Sequence, residues 1–388
     1  MAKKLKSSLV YLDYASATPL APVVQKAMVK AELNWGNPSS VHQVGQLAQV
    51  ALASARRQVA KILAIKPEEV IFTSSGTESD NLALLGVAKT QPAGQIIVSA
   101  IEHPAVMAVT EYLTKLGWEV VCLPVNEFGL ISAKDLAVKL TDKTRLVSVA
   151  LASGEIGTIQ PIREISQIIK KWRLQHNTSW PVLHSDVCAA TGYLNIQPHA
   201  LGVDLMSFSA QKIYGPKGVA VLYKRADLEL EPLIYGGGQE RGLRSGTESV
   251  VLAIGMATAL TLVVKQQKKE VVRLSKLRDW LIGEILRLIP NSRLNGDSKQ
   301  RLPNNINISF RGVDSEQLVY TLDRQGVSVS TGSACSATKN EISPVLKAIG
   351  SPAEWGNIRV TLGRETSKKE LDFTITALIA SVEAVRSS

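Results

Sequence analysis

Lys212 lies in the segment whose residue types most clearly suggest chemistry. Residues 207–218 (SFSAQKIYGPKG) place this lysine just past a predicted strand, among small polar residues and before a Gly-Pro turn. A partly desolvated lysine has a lowered pKa, so its amine is a nucleophile that can form a Schiff base with a carbonyl group. A lone lysine in a loop is usually solvated, and it is the surrounding segment that favours the reactive interpretation.

Residues 73–81 (TSSGTESDN) form a second candidate site, which follows one predicted strand and opens a predicted helix. Small residues such as Gly76 let backbone N–H groups approach an anion, and the helix dipole favours a phosphate there. Capping of the helix by Ser or Thr explains the same composition. The spacing of a P-loop, Gly-x-x-x-x-Gly-Lys, is absent.

Asp186 closes the segment His184-Ser185-Asp186 at the end of another predicted strand. A carboxylate in this place can pair with the pyridine nitrogen of pyridoxal phosphate (PLP) and keep the ring protonated, which makes the ring an electron sink. An aspartate that caps the next helix is the alternative interpretation.

The three cysteines differ in their surroundings. Cys335 lies in residues 330–339 (STGSACSATK), a small polar loop that suits a reactive, accessible thiol. Cys122 lies in an apolar strand and is predicted to be core, whereas Cys188 follows Asp186 closely and is explained by the cofactor or by packing. An odd, low count does not make a disulfide framework, so a reducing compartment is predicted.

The elements that must position these residues alternate between strands and helices. Short runs rich in Val and Ile predict strands at 70–73, 96–99, 119–123, 145–150, 182–185, 204–208 and 219–223. Helix-period segments lie between several of them, which indicates βαβ units and a mostly parallel sheet with helices on both faces. After residues 235–238 comes a long helical region, 249–288, and then shorter strands at 306–310, 327–330 and 357–361. We therefore predict an α/β large domain, 14–260, and a smaller α+β domain made of 1–13 with 261–388.

Composition narrows the function classes. The 388 residues carry a net charge of +10, but the basic residues are spread along the chain, so direct nucleic-acid binding is not predicted. The N-terminus lacks the apolar core of a signal peptide, and the longest apolar run, 250–264, is shorter than the roughly 20 residues of a membrane span. We expect a cytoplasmic protein with no membrane partner and no metal site.

Taken together, these segments resemble the cysteine desulfurases, a family of class V aminotransferase-like, fold type I PLP enzymes. The resemblance runs from residues 11–15 (YLDYA) to 358–364 (IRVTLGR) and includes 35–40 (WGNPSS), 102–103, 154–157 and 236–247. The segment between Ser333 and Arg359 resembles the subgroup with an extended catalytic-cysteine loop, which serves iron–sulfur cluster assembly and tRNA thiolation.

The resemblance implies PLP as cofactor, L-cysteine as substrate and a homodimer. Cys335 would accept the sulfur as a persulfide and pass it to an acceptor protein, such as an iron–sulfur scaffold or a tRNA-thiolation enzyme. The implied roles of the other residues are covalent attachment of PLP (Lys212), pairing with its nitrogen (Asp186), stacking and proton transfer (His103), phosphate and cofactor binding (Gly76, Thr77, Ser153, Ser209, Gln211, and Thr247 from a second subunit) and substrate binding (Arg359 and Asn37).

Five residues, at four places in the family pattern, depart from it. Gln211 and Gln239 stand where the family has His, Ser153 and Gly154 where it has two Asn, and Ala189 where a Gln bonds the PLP phenolic oxygen. Gln and Ser still offer hydrogen bonds, whereas Ala189 does not. Another PLP enzyme of this fold, such as a selenocysteine lyase or an aminotransferase, and a catalytically degenerate binding partner remain as alternatives.

Overall fold

A computed structural model describes residues 9–332, 342–352 and 354–387. In chain order its strands are β1 (Val10–Tyr11), β2 (Val70–Thr73), β3 (Gln95–Ser99), β4 (Glu119–Leu123), β5 (Thr144–Ser148), β6 (Val182–Asp186), β7 (Leu205–Ser209), β8 (Ala220–Lys224), β9 (Ser292–Leu294), β10 (Asn305–Arg311), β11 (Val327–Ser328) and β12 (Trp355–Thr361).

The helices of the same described residues alternate with these strands in the first half of the chain. In chain order they are α1 (Pro22–Ala31), α2 (Gln43–Leu63), α3 (Gly76–Lys89), α4 (Pro104–Lys115), α5 (Ala133–Lys139), α6 (Ile162–Gln175), α7 (Pro198–Leu201), α8 (Val250–Leu288), α9 (Ser315–Arg324), α10 (Pro344–Ala348) and α11 (Lys368–Arg386).

A seven-stranded sheet forms the centre, in the order β2-β8-β7-β6-β5-β3-β4. The pairs from β4 to β7 are parallel, whereas β8 runs antiparallel to both β2 and β7. The prediction of a mostly parallel sheet is confirmed. Each of the seven predicted strands is present, with ends that differ by at most two residues from the observed ones.

Helices cover both faces of this sheet. Neighbouring strand residues enter different clusters, since Ile97 of β3 packs with α2, α6 and α8 while Ile96 and Val98 pack with α3 and α4. Successive side chains of a strand point to opposite faces, so burial of both sets explains the continuous apolar runs in the sequence. The predicted α/β class with helices on both faces is confirmed.

A second apolar cluster lies around the remaining strands. The antiparallel sheet β12-β10-β9 and the parallel pair β1-β11 pack with α9, α11 and the second half of α8. Along α8, residues up to Val263 belong to the first cluster and residues from Leu274 onward to the second. The boundary placed near residue 260 stays a prediction, and this distribution is what motivates it.

Helix α8 is the one described helix long and apolar enough to cross a membrane by length and composition. Its buried residues contribute to both apolar clusters, and it packs along α1 and α2. Its apolar composition is therefore explained by its position in the core.

Candidate active site

The candidate residues converge on the edge of the large sheet where the parallel strands end. Asp186 ends β6, Ser209 ends β7 and Lys212 follows three residues later, while Gly76 opens α3 after β2. Ligands of open α/β sheets bind at the carboxyl ends of the strands. We call this group of four residues the cofactor edge.

The Lys212 amine is partly buried against the N-terminal segment. Its Nζ donates to the carbonyl oxygen of Ser16 at 3.0 Å and to that of Ala15. Burial lowers the pKa of Lys212, and the Arg359 charge lowers it further, while Asp186 and other anionic groups oppose the shift. The lowered pKa increases the fraction of free amine, which is what a nucleophilic lysine needs.

Asp186 is a buried carboxylate without a cation partner in the described part of the chain. Its Oδ1 accepts one hydrogen bond, from the backbone N–H of Cys188 at 2.8 Å. The alternative interpretation was that Asp186 caps a helix, but its side chain caps only the short turn to Cys188. Isolated buried carboxylates are costly, so a cationic group placed against Asp186 would be strongly favoured.

Gly76 lies in a tight approach between α3 and the segment after β6. A Cβ atom at this position would come within 2.9 Å of the Cys188 Sγ atom, and 3.8 Å from the Ser209 Cβ atom. The first distance is shorter than side chains tolerate, so glycine is needed to bring the start of α3 this close. The predicted anion site at the N-terminus of α3 therefore lies directly beside Ser209 and Cys188.

His103 caps α4 just beyond the end of β3. Its Nδ1 accepts a hydrogen bond from the Ala105 N–H at 3.1 Å, which leaves the proton of a neutral ring on Nε2. The protein around the ring lowers the pKa of His103 by desolvation, although the residue as a whole is exposed in the single chain. The Lys212 charge lowers this pKa further, while Asp186 opposes the shift. His103 is thus a neutral imidazole whose pKa is affected by the charges of both Lys212 and Asp186.

Arg359 of β12 reaches the same place from the small-domain side. Its Nη2 donates to the Asp13 Oδ1 at 2.9 Å and to the Ser16 Oγ at 2.8 Å, and its Nε is buried without a hydrogen-bond partner in the described residues. Since Ser16 also bonds Lys212, the lysine and the guanidinium are neighbours. A carboxylate ligand bound near Lys212 could therefore also reach Arg359, whose guanidinium is at present paired with the acidic side chain of Asp13.

Five residues with predicted roles make no side-chain hydrogen bond to Lys212, Asp186 or Arg359 within the described chain. Ser153 caps a turn, accepting from the Glu155 and Ile156 N–H groups at 3.3 Å, and Asn37 bonds the Ser39 N–H on an exposed loop. The predicted cofactor or substrate roles of these residues stay predictions: Ser153, Asn37, Thr77, Gln211 and Thr247.

Cys335 lies outside the described residues, so its predicted role stays a prediction. The described residue closest before it in the chain, Gly332, has a φ of 87°. A Cβ atom at Gly332 would come within 3.0 Å of the Glu155 side chain, so glycine is favoured there by conformation and by space.

Two of the departures from the family pattern face each other. A Cβ atom at Gly154 would lie 3.6 Å from the Ala189 Cβ atom, which is ordinary contact, and the Gly154 backbone is not left-handed. Neither space nor conformation therefore requires glycine at 154. A Cβ atom at Gly154 would therefore have room, with Ala189 as its nearest neighbour.

The comparisons with known proteins bear on this arrangement. The sequence profile of the family Aminotransferase class-V matches residues 10–373. The chain is 44% identical over 97% of its length to the cysteine desulfurase IscS of Dictyoglomus turgidum, and the match covers 95% of that protein. The chain belongs to the cysteine desulfurases of the class V aminotransferase family.

Two solved structures resemble this cysteine desulfurase over most of its length. A NifS-like protein superposes with a TM-score of 0.90 at 33% identity, covering 97% of this chain and 100% of that one. SspA in complex with cysteine superposes with a TM-score of 0.78 at 30% identity, covering 91% of this chain and 98% of that one. The second structure thus holds cysteine on a protein of this fold.

As a cysteine desulfurase of class V, the enzyme depends on PLP. The residues present fit that group, because the cofactor edge combines an amine of lowered pKa with an unpaired buried carboxylate. Gly76 and Ser209 lie together at the start of α3, where a phosphate would be favoured. The carbonyl, ring nitrogen and phosphate of the cofactor thus have residues that fit them, whereas Ala189 offers no hydrogen bond to its phenolic oxygen.

The sequence analysis assigned no role to several polar residues of this site, although Asp80 and His184 lie in segments that it singled out. Asp13 and Ser16 position Arg359 and Lys212, and Asp80 and His184 lie buried under Asp186. Glu102 is buried too, and this raises its pKa to about 8. Asp13 lay within a segment of the family resemblance, but its sequence position does not reveal that it contacts a residue 346 positions away.

Proposed function

We propose that this enzyme removes the sulfur of L-cysteine and transfers it to Cys335, releasing L-alanine. The observation that carries the proposal is the meeting of Lys212, Asp186 and Arg359 at one sheet edge in a cysteine desulfurase. A lysine amine, a buried carboxylate and a guanidinium together suit a cofactor carbonyl, its ring nitrogen and an amino-acid carboxylate.

Arg359 binds the substrate carboxylate in this proposal. Guanidinium–carboxylate pairs are bidentate and specific, and the buried Nε is a donor that awaits an acceptor. Substrate binding would replace the Asp13 contact of Nη2, so Asp13 holds the guanidinium in place before substrate arrives.

Lys212 would hold the cofactor and would also act as the base toward the Cα proton of the substrate. Bound PLP, paired with Asp186, supplies an electron sink that makes the Cα–H bond of cysteine acidic. Lys212, whose pKa is lowered by burial, removes this proton and holds it at Nζ. The neutral His103 ring, which senses both Lys212 and Asp186, is placed to assist the proton transfers.

Cys335 completes the transfer. Its thiolate attacks the substrate sulfur, so that an S–S bond forms as the C–S bond of the substrate breaks. The carbon that loses sulfur takes a proton in its place, and L-alanine leaves. The sulfur remains on Cys335 as a persulfide, ready for an acceptor protein of iron–sulfur assembly or tRNA thiolation.

A homodimer completes the site in this proposal, with Thr247 reaching the phosphate of the partner subunit. Thr247 is exposed in the single chain. Apolar side chains between α1 and the first turns of α2 are also more than half exposed, which suits an interface. These are Leu33, Trp35, Val41, Leu47 and Val50.

Light scattering on the purified protein tests the dimer. We expect twice the chain mass for the wild type and a loss of the dimer in Trp35→Asp. Val138→Asp, which changes an equally exposed valine on α5, is the control and should remain dimeric. A monomeric wild type that retains activity contradicts the dimer.

A cytoplasmic location and an acidic acceptor protein complete the proposal. Neither Cys122 nor Cys188 is paired in a disulfide, which suits a reducing compartment. The net charge of +10 suits an acceptor of negative charge, and no direct nucleic-acid partner is proposed.

The test is simultaneous quantification of alanine and sulfide from PLP-loaded enzyme given L-cysteine and a thiol reductant. Equimolar products that vanish in Cys335→Ala, but persist in the matched control Cys122→Ala, are expected. A keto acid in place of alanine would indicate an aminotransferase, and a preference for selenocysteine a selenocysteine lyase. Failure to bind PLP at all would favour a degenerate binding partner.

A further inference from the structure

A buried polar cluster lies one row beneath Asp186, on the face of the sheet that α3 covers. His184 precedes Asp186 by two residues on β6, so both side chains point to that face. The His184 Nδ1 lies 2.8 Å from the Ser148 Oγ on β5, and Nε2 lies 3.0 Å from the Ser207 Oγ on β7. All three side chains are fully buried.

Asp80 enters this cluster from α3. It is 1% exposed, and its Oδ1 lies 3.5 Å from the His184 Nε2 without a hydrogen-bond partner in the described residues. We call Asp80, His184, Ser148 and Ser207 the buried layer. The buried layer lies between the apolar core and the cofactor edge, so whether the layer carries a charge affects Asp186 directly.

The charges around Asp80 are negative rather than positive. Asp186 is the larger of the two charges that act on it, Glu102 adds to this only when it ionises, and Ser207 offers a hydrogen bond. His184 supplies no positive charge, because burial lowers the pKa of its ring to about 4. The titratable groups that face Asp80 are thus His184 and Asp186 on β6, Cys188 after it and Glu102 after β3.

We propose that Asp80 is a proton-holding positioning residue, whose neutral carboxyl group forms with His184 an uncharged layer beneath Asp186. Two neighbouring buried carboxylates do not both ionise readily. With the proton on Asp80, the negative charge stays on Asp186, which has Lys212 nearby and would face the cofactor nitrogen. This inference rests on the proposed cofactor role of Asp186.

Burial supports the same assignment of the proton. Desolvation is the largest cause that raises the pKa of Asp80, and the charges of Asp186 and Glu102 raise it further, whereas the Ser207 hydroxyl lowers it. A neutral Asp80 also has a hydroxyl group that can donate a hydrogen bond, whereas the ionised carboxylate can only accept.

Infrared spectroscopy on the cofactor-free protein tests this directly. We expect a protonated-carboxyl absorption in the wild type at neutral pH that is missing in Asp80→Asn. In Ser207→Ala the same absorption should persist to higher pH, because the hydrogen bond that favours the anion is removed. Glu102 also carries a proton at neutral pH, because burial raises its pKa to about 8, so these spectra are recorded in a Glu102→Gln background. In that background the unchanged Asp80 and Ser207→Ala decide the question even if Asp80→Asn does not fold.

PLP binding supplies a second readout. Asp80→Asn keeps a neutral group of the same shape, so we expect its dissociation constant for PLP to stay within about twofold of the wild type. Asp80→Ala leaves Ser207 and His184 without that partner and should bind PLP several-fold more weakly. Asp186→Asn removes the charge itself and should weaken PLP binding by at least about tenfold.

Two results would overturn the inference. One is a wild type without the protonated-carboxyl absorption at neutral pH, and the other is an Asp80→Asn variant that loses PLP as strongly as Asp186→Asn. Neither result bears on whether the enzyme turns over L-cysteine. Conversely, a protonated Asp80 in a protein that forms no alanine would contradict the proposed function and not the buried layer.

Discussion

The cofactor edge and the small-domain side of the active site are built in different ways. Asp186 and Ser209 end adjacent strands of a sheet buried on both faces, and Lys212 follows a few residues later. Arg359 instead comes from a three-stranded sheet in the other apolar cluster and is fixed by Asp13 and Ser16. The residues proposed for the cofactor thus lie at the end of the sheet that is buried on both faces, while the arginine proposed for the substrate comes from the other apolar cluster.

The largest effect is expected at the cofactor edge, in Lys212→Ala. It removes both the covalent attachment of PLP and the base, and loss of a general base alone costs about 10²–10⁴-fold in rate. Alanine formation under saturating PLP and L-cysteine is the measurement. Lys217→Ala, an exposed lysine in the same segment, is the control and should keep wild-type turnover. Wild-type turnover in Lys212→Ala would contradict the proposed roles of Lys212 in holding PLP and in removing the substrate proton.

Arg359→Lys probes the small-domain side and should act on substrate binding. A lysine loses the paired geometry of the guanidinium, and charge-assisted hydrogen bonds contribute about 1.5–3 kcal/mol, so KM for L-cysteine should rise at least about tenfold. PLP affinity should stay unchanged. Steady-state kinetics and PLP titration separate these effects. Arg311→Lys on β10 serves as the control, and a change in PLP affinity alone would place Arg359 with the cofactor edge.

Gly76→Ala tests how tightly the cofactor edge is packed. The added Cβ atom meets the Cys188 Sγ atom, and overpacking of this kind costs about 1–3 kcal/mol. We expect a lower Tm and weaker PLP binding, both partly restored by Cys188→Ala in the double variant. Gly283→Ala on α8 has nothing within 4 Å of the new Cβ atom and should not lower the Tm. Absence of rescue would mean that the strain arises elsewhere.

The smallest effect is expected where the cofactor edge departs from the family pattern. Ala189→Gln places an amide in the space beside Gly154, and one additional hydrogen bond contributes about 0.5–1.5 kcal/mol. PLP binding should therefore tighten by up to about tenfold, measured by titration of the cofactor-free protein. Ala189→Leu fills similar space without hydrogen bonds and should give no gain. Weaker binding in both variants would mean that the space is already used.

The sequence predicted the large sheet well and the site only in part. Periodicity located β2 to β8, because most of these strands are buried on both faces and read as continuous apolar runs. The edge strand β4 is the exception: Cys122 is exposed there, so the prediction that it belongs to the core was wrong. The antiparallel direction of β8 was not predicted, since a short apolar run carries no information about strand direction. Lys212 and Asp186 were found because each follows a predicted strand, which is where such residues meet.

Contacts between distant segments were beyond sequence reasoning. Asp80 and His184 lie in separate helix and strand patterns, and only the packing of α3 on the sheet brings them together. Likewise, Asp13 was not predicted to fix Arg359, because β1 and β12 come from opposite ends of the chain. Polar pairs of this kind depend on tertiary packing, which periodicity does not specify.

We propose that Cys335 carries the sulfur of L-cysteine as a persulfide, which mass spectrometry detects on the enzyme itself. PLP-loaded enzyme is given L-cysteine without reductant, digested, and its cysteine peptides are weighed. We predict that the peptide containing Cys335 gains the mass of one sulfur atom, and that it gains none in Lys212→Ala. Sulfur on Cys122 or Cys188 in its place, or alanine formed without any persulfide on Cys335, would contradict the account.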